Sequence, residues 1–334
     1  MRILITGAGG MLGQDLTSAA RAAGHRCLPL SHAELDIADA DAVERAITAA
    51  APEVIVNCAA WTDVDGAEAD PAAAQRANAE GPRLLAGAAQ RAGAWTIHVS
   101  TDYVFDGAKR TPYVESDPTA PASAYGRSKL AGERAVAEQA PEGHTIVRSS
   151  WLFGARGRCF PQTILRLAAE REELTVVEDQ VGCPTYTGHL ATALLVLCER
   201  RPSGILHVAG GGSCSWFEFA RAILTAAGRS TRLLPGSTAE QARPAPRPAY
   251  SVLGTERPAE APRLPHWREG LAAYLEAAGL AQQARSAGPE PPRPQATRQP
   301  LQPAAPEPPR PQATRQPHPP AGAPAAGPTA GRLA

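Results

Sequence analysis

Residues 2–13 read RILITGAGGMLG: a short apolar run, Arg2–Thr6, breaks into glycines just before the next apolar stretch begins. A run of that length bounded by glycine reads as a buried strand, and Met11–Ala23 has the spacing of a helix. Between them, glycines at 7, 10 and 13 permit a tight turn, bring the backbone close to a pyrophosphate and let the helix pack on the sheet. The helix N-terminus adds free N–H groups and a partial positive charge. This strand–loop–helix predicts a dinucleotide site, with Gly7, Gly10, Met11, Leu12 and Gly13 as cofactor-binding residues.

The pattern repeats downstream. Further strands are expected at Arg26–Leu30, Val54–Asn57, Thr96–Ser100 and Thr145–Arg148, with helices near Ala40–Ala50, Pro71–Arg91 and Ser123–Gln139. Asp70-Pro71 is a strong helix start, Asp as N-cap and Pro in the first turn. Short apolar strands alternating with helices predict an α/β fold, a Rossmann-type doubly wound parallel sheet that binds ligands at the strands' carboxyl ends. From Trp151 the pattern loosens. Helices are expected at Phe160–Arg171, Gly188–Arg200, Trp216–Gly228 and Trp267–Ala284, with strands at Leu174–Val177 and Ile205–Val208. Residues 1–150 are therefore read as the dinucleotide-binding domain and 151–284 as a smaller substrate lobe, with exchange of elements between them allowed. Residues 285–334 are rich in Pro, Ala, Gln and Arg, and PEPPRPQATRQP at 289–300 recurs at 306–317. Such a composition buries too little apolar surface to offset ordering entropy, so a disordered tail is expected.

Thirty-three Lys+Arg balance 33 Asp+Glu, which gives no reason to expect a nucleic-acid or membrane partner. The six cysteines are scattered without a CxxC pair, as suits a reducing cytoplasm, and the N-terminus has no export signal. The basic residues are nearly all arginine; the lysines are Lys109 and Lys129.

Lys129 stands where chemistry would want it. Ser100-Thr101-Asp102-Tyr103-Val104-Phe105 closes the fourth strand, and Tyr125-x-x-x-Lys129 follows on an expected helix. Residues four apart share one helical face. A phenol titrates near pH 10, and an adjacent ammonium together with a bound oxidised nicotinamide would bring it toward working range. Tyr125, Lys129 and Thr101 are the expected catalytic residues, with Thr101 hydrogen-bonding the reacting carbonyl. At the adenosine end, Ser31 stands where an acid would bind the ribose 2′-hydroxyl of NAD, and no arginine is present for a 2′-phosphate, so NADPH and NADH both stay open. Asp36 and Ile37 are expected beside the adenine, and Ala59, Ala60 and Trp61 against the cofactor. Thr101, Asp102, Tyr103, Val104, Phe105, Tyr125 and Trp151 are the expected substrate contacts.

Gly7–Gly13 with its G-x-x-G-x-x-G spacing, Asn57–Asp65, Ser100–Asp106, Tyr125–Lys129, Arg148–Trp151 and Asp179-Gln180-x-Gly182-x-Pro184-Thr185 stand in order. Together they resemble the dTDP-4-dehydrorhamnose reductases, which are extended short-chain dehydrogenases, over about residues 1–284. The resemblance implies reduction of a dTDP-linked 4-keto sugar at C4: Tyr125 donates the proton, Lys129 holds the nicotinamide ribose, and Tyr103 and Trp151 contact the sugar. Some members dimerise through magnesium. Asp15 corresponds to one of their acids, but His189 stands where another is expected, so Mg2+ is not predicted, and monomer and homodimer both stay open. A 4-ketoreductase for another dTDP-deoxysugar would carry the same catalytic residues. A non-catalytic regulatory subunit would be expected to have lost Tyr125 or Lys129. A dehydratase would carry an acidic pair after the central threonine, where only Asp102 follows Thr101.

Overall fold

In the computed structural model, which describes residues 1–280, the first half runs β1 (Arg2–Thr6), α1 (Met11–Ala22), β2 (Arg26–Leu30), α2 (Ala40–Ala50), β3 (Val54–Asn57), α3 (Val64–Ala69), α4 (Pro71–Gln75), α5 (Gly81–Arg91), β4 (Trp95–Thr101), α6 (Ala124–Gln139) and β5 (His144–Ser149). Then come β6 (Leu152–Phe153), α7 (Phe160–Glu170), β7 (Glu173–Val177), β8 (Val181–Gly182), β9 (Thr185–Tyr186), α8 (Thr187–Arg200) and β10 (Gly204–His207). The chain closes with β11 (Cys214–Ser215), α9 (Trp216–Ala226), β12 (Arg232–Gly236) and α10 (Trp267–Ala277). No described helix is long and apolar enough to cross a membrane.

Six strands form one parallel sheet in the order β2-β1-β3-β4-β5-β10. The order reverses between β1 and β3, and at such a reversal the loops part and leave a crevice. Both faces are covered, which is why Ile3, Leu4 and Ile5 of β1 are all apolar rather than alternating. Ile3 and Ile5 face Leu16, Leu190 and Leu194, while Leu4 faces Val43, Ile47 and Leu85. Burying each such side chain stabilises by about 1.5–3 kcal/mol.

The expected strand at Ile205–Val208 is found as β10, but it lies beside β5 as the sixth strand of the main sheet, and α8 packs beside α1. The chain thus crosses back after entering the second region. What remains there, α7, α9, α10 and the short pairs β7–β12, β8–β11 and β6–β9, surrounds a core of Phe153, Phe219, Trp267 and Tyr274.

Two expected helices differ. Pro71–Arg91 is interrupted by a π-helical turn at Arg76–Glu80. Pro82 has no N–H for the Asn78 carbonyl four residues back, so the ladder widens and Gly81 N–H reaches Arg76 O instead. Gly132 of α6 lies against the freed Asn78 carbonyl, where any Cβ would overlap it. The helix expected over Trp267–Ala284 ends at Ala277, because Gly279 turns the chain at φ +70. Residues 281–284 and the tail expected to be disordered lie outside the described residues.

Candidate active site

Gly7 leaves β1 at φ +66, a conformation that side chains rarely adopt. A Cβ on it would lie 2.6 Å from Ala59 N, so this glycine is what lets the β1 and β3 loops touch. A Cβ on Gly13 would overlap the Gly7 carbonyl. Gly10 donates its N–H to Gly7 O at 2.9 Å and gives α1 no side-chain cap, so the first-turn N–H groups are available to an anion. Leu12 offers only backbone here, since its side chain joins the Leu16 core, and Met11 packs toward Gly154 and Gly157 of the second region.

The segment after β2 carries Glu34 and Asp36 and receives Arg76. Ser31 donates its N–H (2.8 Å) and hydroxyl (2.7 Å) to Glu34, and these bonds hold the Glu34 carboxyl below its usual range. Arg76 NH2 bonds Asp36 Oδ2 at 2.6 Å, and Ile37 is buried against Gly81. Arg76, from the π-helical turn, thus places a guanidinium beside Asp36. The β3 loop is clamped by two asparagines. Asn57 Oδ1 accepts from Thr6 Oγ1 (2.7 Å) and Ala59 N (3.0 Å). Asn78 Oδ1 accepts from Trp61 N (2.8 Å), while Asn78 Nδ2 donates to Trp61 O (3.0 Å) and Ser128 Oγ (2.9 Å). Ala59, Ala60 and Trp61 are half-buried along this loop.

Ser123 caps α6 by accepting from Gly126 N (3.1 Å), which sets Tyr125 and Lys129 one turn apart beside the end of β4. A Cβ on Gly126 would overlap the Tyr103 carbonyl, so helix and strand end meet closely. Tyr103 presents its ring edge-on to Tyr125, with centroids 5.6 Å apart. Thr101 lies beside the Tyr125 phenol and gives its proton to Asp102 Oδ1 at 3.0 Å. Lys129 is 2% exposed and donates to Val99 O at 2.8 Å. An ammonium has three protons, so two are left for a ligand. Burial lowers Lys129 to about 8, against an opposing pull from Glu133. Burial pushes Tyr125 up to about 12, with Thr101 lowering it and Asp102 raising it. In the protein alone the phenol is therefore protonated, the form that donates.

Trp151, just beyond β5, takes φ +47 and stacks on Trp216 at 3.5 Å between centroids. Trp216 Nε1 donates to Gln180 Oε1 (3.2 Å), and Gln180 Nε2 to Thr238 Oγ1 (2.8 Å). Gly182 is required beside this stack, because a Cβ would overlap the Trp151 indole. The Asp179-Gln180-x-Gly182 segment is thus the mount for an aromatic pair.

Val104 (0% exposed) and Phe105 (1%) point into the core with Tyr113 and Leu130, because the short helical turn after Thr101 rotates them inward. Asp15 accepts from Thr187 Oγ1 (2.5 Å) and pairs with Arg156 (3.1 Å), while His189 packs edge-on against Tyr186. Sequence reading missed Asn78, Ser128 and Glu133. Glu133 had a signal, since it lies four residues beyond Lys129 on the same helical face. It accepts from Ser100 Oγ (2.5 Å) and from Arg148 Nε (2.9 Å) and NH2 (2.7 Å). Arg148 NH1 reaches His207 Nε2 at 3.4 Å.

The Gly7 cradle, the uncapped α1 and a buried ammonium with unspent protons fit a dinucleotide. A Tyr-x-x-x-Lys helix laid against a threonine at a strand's carboxyl end defines a short-chain-type oxidoreductase. Comparison with known proteins is specific. Residues 1–279 match the family described as RmlD substrate binding domain. The chain is 47% identical over 285 residues to dTDP-4-dehydrorhamnose reductase of Mycobacterium tuberculosis, covering 83% of this chain and 93% of that protein. It is 40% identical over 281 residues to dTDP-4-keto-6-deoxy-D-glucose reductase of Streptomyces niveus, covering 81% and 95%. The crystal structure of dTDP-4-dehydrorhamnose reductase from Bacillus anthracis in complex with NADP superimposes with a TM-score of 0.80 at 40% identity, covering 83% of this chain and 99% of that one. The chain belongs to the dTDP-4-dehydrorhamnose reductase family.

Proposed function

We propose that this protein uses NADPH or NADH to reduce the C4 keto group of dTDP-4-dehydro-L-rhamnose, giving dTDP-L-rhamnose. The observation that carries it is the Tyr125/Lys129 pair, one helical turn apart beside Thr101 at the carboxyl end of β4, in the same parallel sheet whose β1 leads into the Gly7 cradle. Gly7, Gly10 and Gly13, with the first turn of α1, would hold the pyrophosphate, and Lys129 the nicotinamide ribose. The reduced nicotinamide supplies the hydride when bound. Tyr125 gives its phenolic proton to the sugar oxygen, Thr101 orients that oxygen, and Lys129 steadies the resulting phenolate by its charge.

The elements around Phe153, Phe219 and Trp267, without α8 and β10, would form the substrate lobe, with Trp151, backed by Trp216, presenting an aromatic surface to the sugar. A cytoplasmic setting belongs to the same reading; all six cysteines are free. A second reading, reduction of a different dTDP-4-keto sugar, is favoured by the Streptomyces niveus relative, whose catalytic task would use the same residues. The test mixes the protein with NADPH or NADH and dTDP-4-dehydrorhamnose, follows cofactor absorbance and identifies the product. dTDP-L-rhamnose supports the first reading; oxidation only with another 4-keto sugar transfers support to the second. No oxidation with any of them refutes both.

A further inference from the structure

Two buried carboxyls flank the catalytic strand end, and only one of them has a cation. Glu133 is paired with Arg148 at 2.7 Å. Asp102, next to Thr101 and 1% exposed, has no such partner. Its Oδ1 takes the Thr101 proton at 3.0 Å, and its Oδ2 has no hydrogen-bond partner. The Ser251 hydroxyl faces this carboxyl and favours its charged form, yet that oxygen too completes no hydrogen bond. The other titratable groups around Asp102 are Tyr103 on its own turn, Tyr125 from α6 and Cys183 beyond β8. None is a cation, and burial raises all three, Tyr125 and Cys183 to about 12, so each is neutral near pH 7. Desolvation therefore dominates at Asp102, and its carboxyl rises to about 6.

Counting protons gives the consequence. A threonine hydroxyl has one proton and two lone pairs. While Asp102 is ionised it can only accept, so Thr101 spends its proton on Asp102. A Thr101 lone pair then accepts from Tyr103 N at 3.2 Å. In that arrangement the Thr101 proton, which should face a keto oxygen, points elsewhere. A neutral Asp102 reverses the pattern, because its own O–H donates to Thr101.

We propose that Asp102 is a positioning residue acting through Thr101: when neutral it donates to Thr101 Oγ1 and frees the Thr101 proton for the substrate oxygen, and when ionised it withdraws it. This rests on the 4-keto reduction proposed above. No covalent bond beyond O–H changes, and Asp102 exchanges one proton with solvent as it titrates.

The test measures kcat and KM for reduction from about pH 5 to about pH 9 in the wild type, Asp102→Asn and Ser251→Ala, each checked for native folding by circular dichroism. One preorganised donor to a developing oxyanion is worth about 10²–10³ in kcat, and a partly rescued one somewhat less, so the wild-type kcat should fall about 10–100-fold as pH rises through the Asp102 transition. KM should change little. The amide introduced by Asp102→Asn donates to Thr101 as a neutral acid does, so that variant should lose the step and outpace the wild type at high pH. Ser251→Ala removes a group that favours the charged carboxyl, so its step should move to higher pH. An Asp102→Asn variant that keeps the step, or a Ser251→Ala step that stays in place, overturns the inference while leaving the reaction assignment standing. A wild type that reduces no 4-keto sugar at any pH overturns both, and so separates the two failures.

Discussion

Replacing Glu133 by alanine should be among the most damaging single changes in the molecule. Glu133 and Arg148 are 3% and 2% exposed, and the carboxylate takes two charge-assisted bonds from the guanidinium and a third from Ser100. The pair itself adds little net stability over an apolar pair of the same shape, because both charges had to leave water. Removing one partner is different. Arg148 cannot shed its proton and would be left charged in the core, with its Nε and one NH2 unsatisfied, at a cost of about 3–5 kcal/mol. Against a typical stability of about 5–15 kcal/mol, that is a large fraction. At roughly 2–4 °C per kcal/mol for a chain of this size, the thermal midpoint should drop by about 6–20 °C. Urea and thermal unfolding followed by circular dichroism would read it. The double variant Glu133→Met/Arg148→Met should recover most of the loss, because no lone charge remains. A loss below about 1 kcal/mol in Glu133→Ala, or a double variant no better than the single, would refute the reasoning.

Tyr125→Phe should fold normally and lose about 10²–10⁴ in kcat, the usual worth of a positioned proton donor; near-normal turnover would mean another group supplies the proton. Gly7→Ala should weaken dinucleotide binding at least tenfold in a fluorescence titration, since it combines about 1–2 kcal/mol of backbone strain with a Cβ 2.6 Å from Ala59 N; an unchanged Kd would remove Gly7 from the cradle. Burial raises Asp102 from 3.8 to about 6, so the folded chain binds its proton more tightly than the unfolded one. This acid costs nothing below the unfolded value and about 3 kcal/mol above the folded one. Asp102→Asn should therefore gain stability relative to the wild type as pH rises from about 4 to about 7, and a pH-independent difference would contradict that. Deleting residues 286–334 should leave kcat and KM unchanged, and a large loss in a folded truncation would assign the tail a role.

The sequence alone determined what depends on near neighbours along the chain. A short apolar run or a period of 3.6 residues needs no knowledge of what a segment packs against, so β1 to β5, α1, α2 and α6 stand within a residue or two of where they were read. Gly7, with its left-handed φ, and the Tyr125/Lys129 pair, set by helical rise, were legible for the same reason. Tertiary structure decided whatever depends on a partner far away in sequence. It placed β10 on the main sheet, brought Arg76 to Asp36, and turned Val104 and Phe105 into the core. It also decided which buried acid is paired. Glu133 and Asp102 look alike as single letters, but among the described residues Arg148 from β5 pairs with one and no cation pairs with the other. Burial and Coulomb energy depend on distance in space, and chain separation does not encode it.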